Sequence, residues 1–525
     1  MVGEQSGEAV MAAVHTNGAS SYDAIVIGGG PNGLLAASYL ARAGARVVLF
    51  ERRIETGGGL NTEEYFGFRF NFHAVYHMMA DVMPALNDLD LANFGLRYVQ
   101  PPLGAAFLFP DGNSMLFGDD PVATSADIAK FSPADATAYR AMWDDFQPML
   151  DQYLVPWTYE LPMPPLEQLE IMEQDEVGRT LARISELSFV DVLDDYGFQD
   201  PTVRMALLSF PAMWGLDLHE PLGFLFPLYL CRMLRASLVK GGSHRMSSAI
   251  YRSFVRAGGV VRDACPVERI IVEGGEARGV QTTAGECCYA PLVISTLNPE
   301  QTFVEMVGGD HLGDSLRSAV STWEWEERSL FGVHLGVRGG FSYTSGDSRT
   351  QDALVAFMGL ETEDDLHAHL ARVDAGESSA AEWIHVTVPT RFDPTQASSG
   401  YQTVRIESIS SYHMPWDEIT GSYAASCLEL IRTYADFGEI VVQRACPPTD
   451  IEQRLTTMKY GSIKHGAYTP LQLGYLRPND LCSRIETPIP GLLVAGASVY
   501  PGGMILGGPG YLGAKVAMEI LGIDQ

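Results

Sequence analysis

Residues Asp23–Asn61, DAIVIGGGPNGLLAASYLARAGARVVLFERRIETGGGLN, run in the order strand, glycine turn, helix, strand, acid and second glycine run. Ala24 to Ile27 are apolar and rich in β-branched side chains, the composition of a parallel strand buried on both faces. Gly28, Gly30 and Gly33 then supply G-x-G-x-x-G. The first glycine permits the tight turn, the second admits a pyrophosphate against the backbone, and the third lets the helix pack on the strand. Pro31 and Asn32 open that helix, where a missing N–H costs nothing. The free N–H groups of its first turn make an anion site with the helix dipole. Ala36, Ala37, Leu40 and Ala41 give a small-residue face, and Gly44 ends the helix. Val47 to Phe50 form the second strand, and Glu51, followed by Arg52, lies where an acid bonds ribose hydroxyls. Three spaced glycines alone could be a turn without a ligand; the strand, helix and acid around them favour the ADP half of a dinucleotide.

Gly57, Gly58 and Gly59, closing on Leu60, follow the acid within a few residues. Glycines there let the chain pass close to a second part of a longer cofactor, which points to FAD rather than NAD.

At 525 residues the chain exceeds one ordinary domain and can bury a large core. Its 46% apolar and 19% charged residues describe a folded globular protein. A formal net charge of −30 excludes nucleic acid as a general partner and argues against broad attraction to anionic membranes. Seven cysteines without C-x-x-C spacing fit reduced thiols in a cytoplasmic protein. Residues 1–20 are small and polar, are expected to be disordered, and lack the pattern of a secretory signal. The most apolar run, Pro221 to Cys231, is too short for a membrane span and reads as a core helix or pocket wall.

Cofactor-domain patterns return late. Lys240-Gly241-Gly242-Ser243 leads into a helix, and Val267 to Val272 is a strand joined by Glu273-Gly274-Gly275-Glu276 to its neighbour. Leu292 to Ser295 is another apolar strand. Gly491 to Gly496 is a strand ending in a glycine turn, followed by Pro501-Gly502-Gly503 and a terminal helix. The blocks between are rich in Trp, Met, Phe and Tyr.

These separated blocks, in this order, resemble the phytoene desaturase family of FAD-dependent oxidoreductases. That family includes carotenoid desaturases, carotenoid isomerases and retinol saturase, within the amine-oxidase-like flavoprotein fold. The resemblance is strongest at 23–75, 240–299 and 487–520. It implies an α/β fold: a discontinuous, Rossmann-like FAD-binding domain of the glutathione-reductase type from 21–104, 236–300 and 461–525. An α+β substrate-binding domain would be inserted as 105–235 and 301–460. By the same resemblance, Val267 lies near the adenine end of FAD, while Gly496, Gly503 and Met504 approach the ribityl chain and isoalloxazine. The family's Gly-Gly-Arg is Gly57-Gly58-Gly59 here, and its Gly-Phe-x-Phe-Asp-x-Gly-Pro is Gly67-Phe68-Arg69-Phe70-Asn71-Phe72-His73-Ala74.

The protein's part in flavin chemistry is to orient a substrate C–H, exclude water and move a proton. His73, Tyr76 and His77 cluster beside the expected flavin, and histidine suits proton transfer near neutral pH. The plainer reading is that His73 packs on the ring or bonds a carbonyl. His465 and Tyr511 are further candidates, with loop or helix structure as the alternative role. Asp217 and His219 flank the apolar run as a possible pocket mouth. No metal motif is present, and His367-Ala368-His369 reads as part of a solvated helix.

The resulting expectation is an FAD-dependent oxidoreductase that desaturates or saturates a C–C bond in a hydrophobic, isoprenoid-like or alicyclic substrate. The electron acceptor is open between oxygen, a quinone and another carrier, and peripheral membrane contact stays open. A flavin-dependent double-bond isomerase is the main alternative. An amine oxidase, for which Lys464 is the one lysine on offer, and a non-catalytic prenyl-binding escort protein rank below it.

Overall fold

The computed structural model describes residues 22–523, so the expectation for residues 1–20 lies outside the described residues. A five-stranded sheet is ordered Val260–Arg262, Val47–Phe50, Ala24–Ile27, Leu292–Ser295, Leu492–Val494, and every neighbouring pair is parallel. Successive side chains along a strand point to opposite faces. Ala24, Val26, Leu49 and Ile294 accordingly pack with the helices Pro31–Arg42, His244–Arg256 and Gly508–Leu521. Ile25, Ile27, Val48 and Val293 pack instead with Ile270, Ala277 and Val280 of an antiparallel three-stranded meander. The near-continuous apolar runs of these strands follow from burial on both faces. The meander begins with Val267–Glu273 and Glu276–Thr282, joined by the glycine turn expected between them.

A second sheet has seven strands, ordered Ala435–Cys446, Arg328–Tyr343, Tyr401–Ser411, Ile384–Thr387, Ala353–Met358, Leu103–Leu108, Ser114–Phe117. Only the pair Ala353–Met358 with Leu103–Leu108 is parallel. The helix Trp416–Tyr434 covers one face, packing on Phe331, Val333, Val404 and Ile406. On the other side lies an aromatic and Met-rich helical core that includes Pro133–Met149, Glu176–Ser185, Phe189–Tyr196 and Pro201–Ala212. The apolar run from Pro221 to Cys231 belongs to this core as short helical turns, with Leu222, Phe226 and Leu230 fully buried. Among the described residues, no helix is long and apolar enough to cross a membrane.

The chain enters the seven-stranded sheet from 103 to 117, returns to the first sheet at 260 and 292, leaves again from 328 to 446, and ends on the first sheet. Neighbouring strands of each sheet are therefore far apart in sequence. The cavity described next lies where the C-terminal ends of the parallel strands meet the polar face of the larger sheet.

Candidate functional site

Gly28, Gly30, Pro31, Asn32 and Gly33 line one end of a cavity. A Cβ on Gly33 would stand 2.0 Å from the Gly28 carbonyl oxygen, so helix and turn can meet only at glycine. No side chain caps the helix that starts at Pro31, and its first turn faces the cavity. That leaves unpaired N–H groups and the positive end of the helix dipole for an anion. Glu51 also lines the cavity, with Oε2 accepting from the Gly29 N–H (2.8 Å) and Oε1 from that of Arg53 (2.8 Å). These bonds fix the carboxylate at the strand end, where it can still accept from a ribose.

The second glycine run folds back onto the first. The Gly57 N–H bonds the Gly29 carbonyl (2.7 Å), and a Cβ on Gly58 would be 3.0 Å from Gly30 Cα. Gly58 also has φ +52°, a conformation that side chains rarely tolerate. Gly59 faces open space, so the position where the family carries arginine forms part of the cavity wall. Arg52, Val267, Gly503 and Met504 line the same cavity. Met504 and Ile505 both have positive φ (67° and 58°), a strained turn held in part by the Gly503 N–H donating to the Tyr468 hydroxyl (3.2 Å). Leu60 and Gly496 do not line the cavity. Leu60 is buried in the helix-side core, and a Cβ on Gly496 would meet the Thr296 carbonyl at 2.3 Å, so both shape the cradle from behind. An uncapped helix N-terminus, an acid at the next strand end and two facing glycine turns fit the ADP moiety of a dinucleotide.

Beyond the cradle the cavity becomes apolar, walled by Val75, Trp214, Leu330, Ile451, Met458 and Ile463. His73, Tyr76 and His465 reach this chamber, and none of their side-chain polar atoms bonds another described residue. Burial, then the guanidinium groups of Arg405, Arg454 and Arg53, push His73 down to about 3, so its imidazole is neutral at physiological pH. Burial lowers His465 to about 4 and raises the Tyr76 hydroxyl well above its ordinary value.

His77 and Tyr511 are not brought to the cavity. Tyr76–His77 is a short strand paired with Leu238 and Ser237, and neighbours on a strand point to opposite sides. Tyr76 therefore faces the cavity while His77 turns away and bonds the Tyr98 hydroxyl (2.9 Å). Tyr511 sits on the terminal helix, whose glycines press against Asn32 and Ala495. That contact directs Tyr511 sideways, edge-on to Tyr39 (5.3 Å) and Tyr159 (5.9 Å), beside a separate surface cleft. His219 lies against His367 (4.9 Å), away from the cavity, and His369 is fully buried beside Trp383 rather than solvated. Asn71 serves structure: its Oδ1 accepts from Thr62 Oγ1 (2.7 Å) and the Ser243 N–H (2.9 Å). Lys464 is also engaged, donating to the Trp214 carbonyl (2.8 Å) with Glu326 3.4 Å away, and it does not line the cavity.

The sequence reading missed Arg405 and Glu407, which project into the cavity from the strand Tyr401–Ser411. Arg405 donates to Glu407 (2.7 Å) and to the Asn71 carbonyl (3.1 Å), and His385 Nε2 lies 3.3 Å from the other Glu407 oxygen. Burial opposes the charge on Glu407, but Arg405 and His385 outweigh it and hold the carboxyl well below its usual range. The available signal was the alternation Thr403-Val404-Arg405-Ile406-Glu407, an apolar face with a charged one behind it. Among the described residues, no group of three or more His, Cys, Asp or Glu side chains could hold a metal.

Fold and sequence comparisons agree with this geometry. A family model described as an NAD(P)-binding Rossmann-like domain matches residues 26–89. Cyclohexylamine oxidase from Brevibacterium oxydans superposes with a TM-score of 0.60 at 16% identity, over 95% of this chain and 99% of that one, which establishes the fold. The class is thus a flavoprotein-type oxidoreductase fold with a Rossmann-like cofactor module. A limonene dehydrogenase polypeptide of Castellaniella defragrans is 38% identical over 96% of this chain and 95% of its own length. A neurosporene-forming phytoene desaturase from Cereibacter sphaeroides is 24% identical over 95% and 94%. The chain belongs to the phytoene desaturase-like family of flavin-dependent oxidoreductases, the limonene dehydrogenase polypeptide included.

Proposed function

We propose that this protein is an FAD-dependent dehydrogenase that acts on a C–C bond of a compact isoprenoid or alicyclic hydrocarbon. The observation that carries the reading is continuity: one cavity joins a dinucleotide cradle to an apolar chamber bearing unengaged proton-transfer groups. The 38% identity to a limonene dehydrogenase polypeptide supports a monocyclic terpene as the substrate type.

Bound FAD would supply a two-electron acceptor for hydride from the substrate. Gly28, Gly30, Asn32 and Gly33 would hold its pyrophosphate, Glu51 its ribose, and the turns at Gly58–Gly59 and Gly503–Met504 the remainder. Trp214, Leu330, Ile451 and Met458 orient the hydrocarbon and exclude water. His73 accepts the second hydrogen as a proton. Carbon that has lost hydride at an allylic centre makes its neighbouring C–H strongly acidic, so a weak base suffices, and it must be unprotonated when the hydride leaves. The neutral imidazole of His73 meets that requirement. Sustained turnover needs an external electron acceptor (oxygen, a quinone or a protein carrier), and a carrier embedded in a membrane would bring the protein to its surface.

Anaerobic mixing of the purified flavoprotein with limonene tests the reading. Stoichiometric bleaching of oxidised flavin with a more oxidised product is expected. Conversion only after flavin reduction, without net electron consumption, would replace it with the isomerase reading.

A further inference from the structure

The His73 side chain has no hydrogen-bond partner of its own among the described residues, so something else must fix where it stands and which protonation state it keeps. The larger sheet supplies that through its register. Arg405 pairs with His334 on one neighbour and Thr387 on the other. Two residues on, Glu407 pairs with Gly332 and His385. With a period of two, Arg405 and Glu407 share the face turned to the cavity, and Val404 and Ile406 face the covering helix. Gly332 leaves room for the guanidinium to lean across: a Cβ there would be 3.4 Å from an Arg405 terminal nitrogen. From this position Arg405 bonds the carbonyl of Asn71, two residues before His73. Phe72, between them, stacks near His334 (4.4 Å) and lies under the guanidinium groups of Arg454 (4.6 Å) and Arg444 (5.5 Å).

We propose that Arg405 is a positioning residue for His73: clamped by Glu407, it pins the Asn71–His73 segment to the cavity wall and keeps the imidazole neutral and ready to accept a proton. The charged groups that act on His73 come from four elements. Arg53 follows the second strand of the first sheet, and Arg454 ends the helix Pro448–Arg454, where it is paired with Glu63. Arg405 and Glu407 come from the strand Tyr401–Ser411, and His334 from the strand Arg328–Tyr343. Burial is the largest influence, and Arg405 is the largest among the charges. Glu407 acts in the opposite direction but is held by Arg405 and His385, so the cation facing His73 prevails. The inference rests on His73 being the proton acceptor, as set out under Proposed function.

The test is ring-¹⁵N histidine NMR of the full-length, flavin-loaded protein between about pH 4 and about pH 8, with the His73 signal identified by its loss in His73→Asn. Wild-type His73 is expected to remain neutral across that range. In Arg405→Met its midpoint should rise by about one pH unit or more, and Arg405→Lys, which keeps the charge, should return it towards wild type. Arg405→Met/Glu407→Gln leaves no unpaired buried carboxylate and should show the same upward movement if the single variant does not fold. The acid limb of kcat/KM should shift in parallel with the NMR midpoint. An unchanged His73 titration in both the single and the double variant overturns the inference. The proton-acceptor reading fails separately, if His73→Ala retains wild-type turnover.

Discussion

The two ends of the cavity are built on opposite principles. The cradle is made of backbone: Gly28, Gly30, Gly33 and Gly58 lie within thirty-one residues of one another, and what matters about each is the side chain it lacks. The chamber is made of side chains brought from afar, with Trp214, Leu330, Arg405 and Met458 meeting only after both sheets have formed. The cradle should therefore be intolerant of added atoms and its loss all-or-none. The chamber should be tunable, each residue adjusting rate or substrate range while the cofactor stays.

The largest effect tests the cradle. Gly33→Val puts atoms where the Gly28 carbonyl already stands, 2.0 Å from the new Cβ. Flavin content of the purified variant should fall more than about tenfold, an affinity loss of at least ~1.4 kcal/mol. A fully loaded Gly33→Val protein would break the contrast.

His73→Ala should come next, lowering turnover about 10²–10⁴-fold while flavin content remains at the wild-type level. Equal losses in both quantities would mean that His73 belongs to the cradle instead.

A broader effect is the pH dependence of stability. His73, His77, His244 and His465 are all held below their ordinary value of 6.5, chiefly by burial. The unfolded chain thus binds more protons than the folded one as pH falls from about 6.5 towards about 4, and stability must drop in that window. A histidine moved from 6.5 to about 4, as His77 is, corresponds to roughly 3 kcal/mol at most. The melting temperature of the loaded protein should fall on acidification through this range, and His77→Gln should flatten the slope. A melting temperature independent of pH between about 7 and about 4 would contradict the burial of these side chains.

The smallest effect belongs to Tyr511, which packs outside the cavity. Tyr511→Phe should leave turnover and flavin content unchanged and alter stability by no more than about 0.5 kcal/mol. A tenfold loss of rate would return Tyr511 to the catalytic candidates.

The same contrast explains what could be read from the chain. The cradle was legible because its constraint is local: a glycine turn between a strand and a helix, with an acid at the next strand end, announces itself in under thirty residues. His73 and Tyr76 were legible through their nearness to the second glycine run. His77 looked equivalent to them, but strand geometry sends alternate residues to opposite sides. Arg405 and Glu407 stayed hidden because their meaning depends on register with His334 and His385, set by strands some 20 to 70 residues away. Trp214 and Met458 carried no signal, since large apolar side chains fill cores far more often than they line cavities.

Cradle and chamber form one cavity, so an apolar ligand held by the chamber should sit against the flavin. The decisive measurement is the visible spectrum of bound oxidised flavin during titration with a saturated monocyclic terpane, which cannot be desaturated at an allylic position. A saturable spectral perturbation is predicted in the wild-type protein, abolished in Ile451→Trp, which fills the chamber, with flavin content unaltered. Terpane binding detected by calorimetry with no change in the flavin spectrum would contradict that continuity.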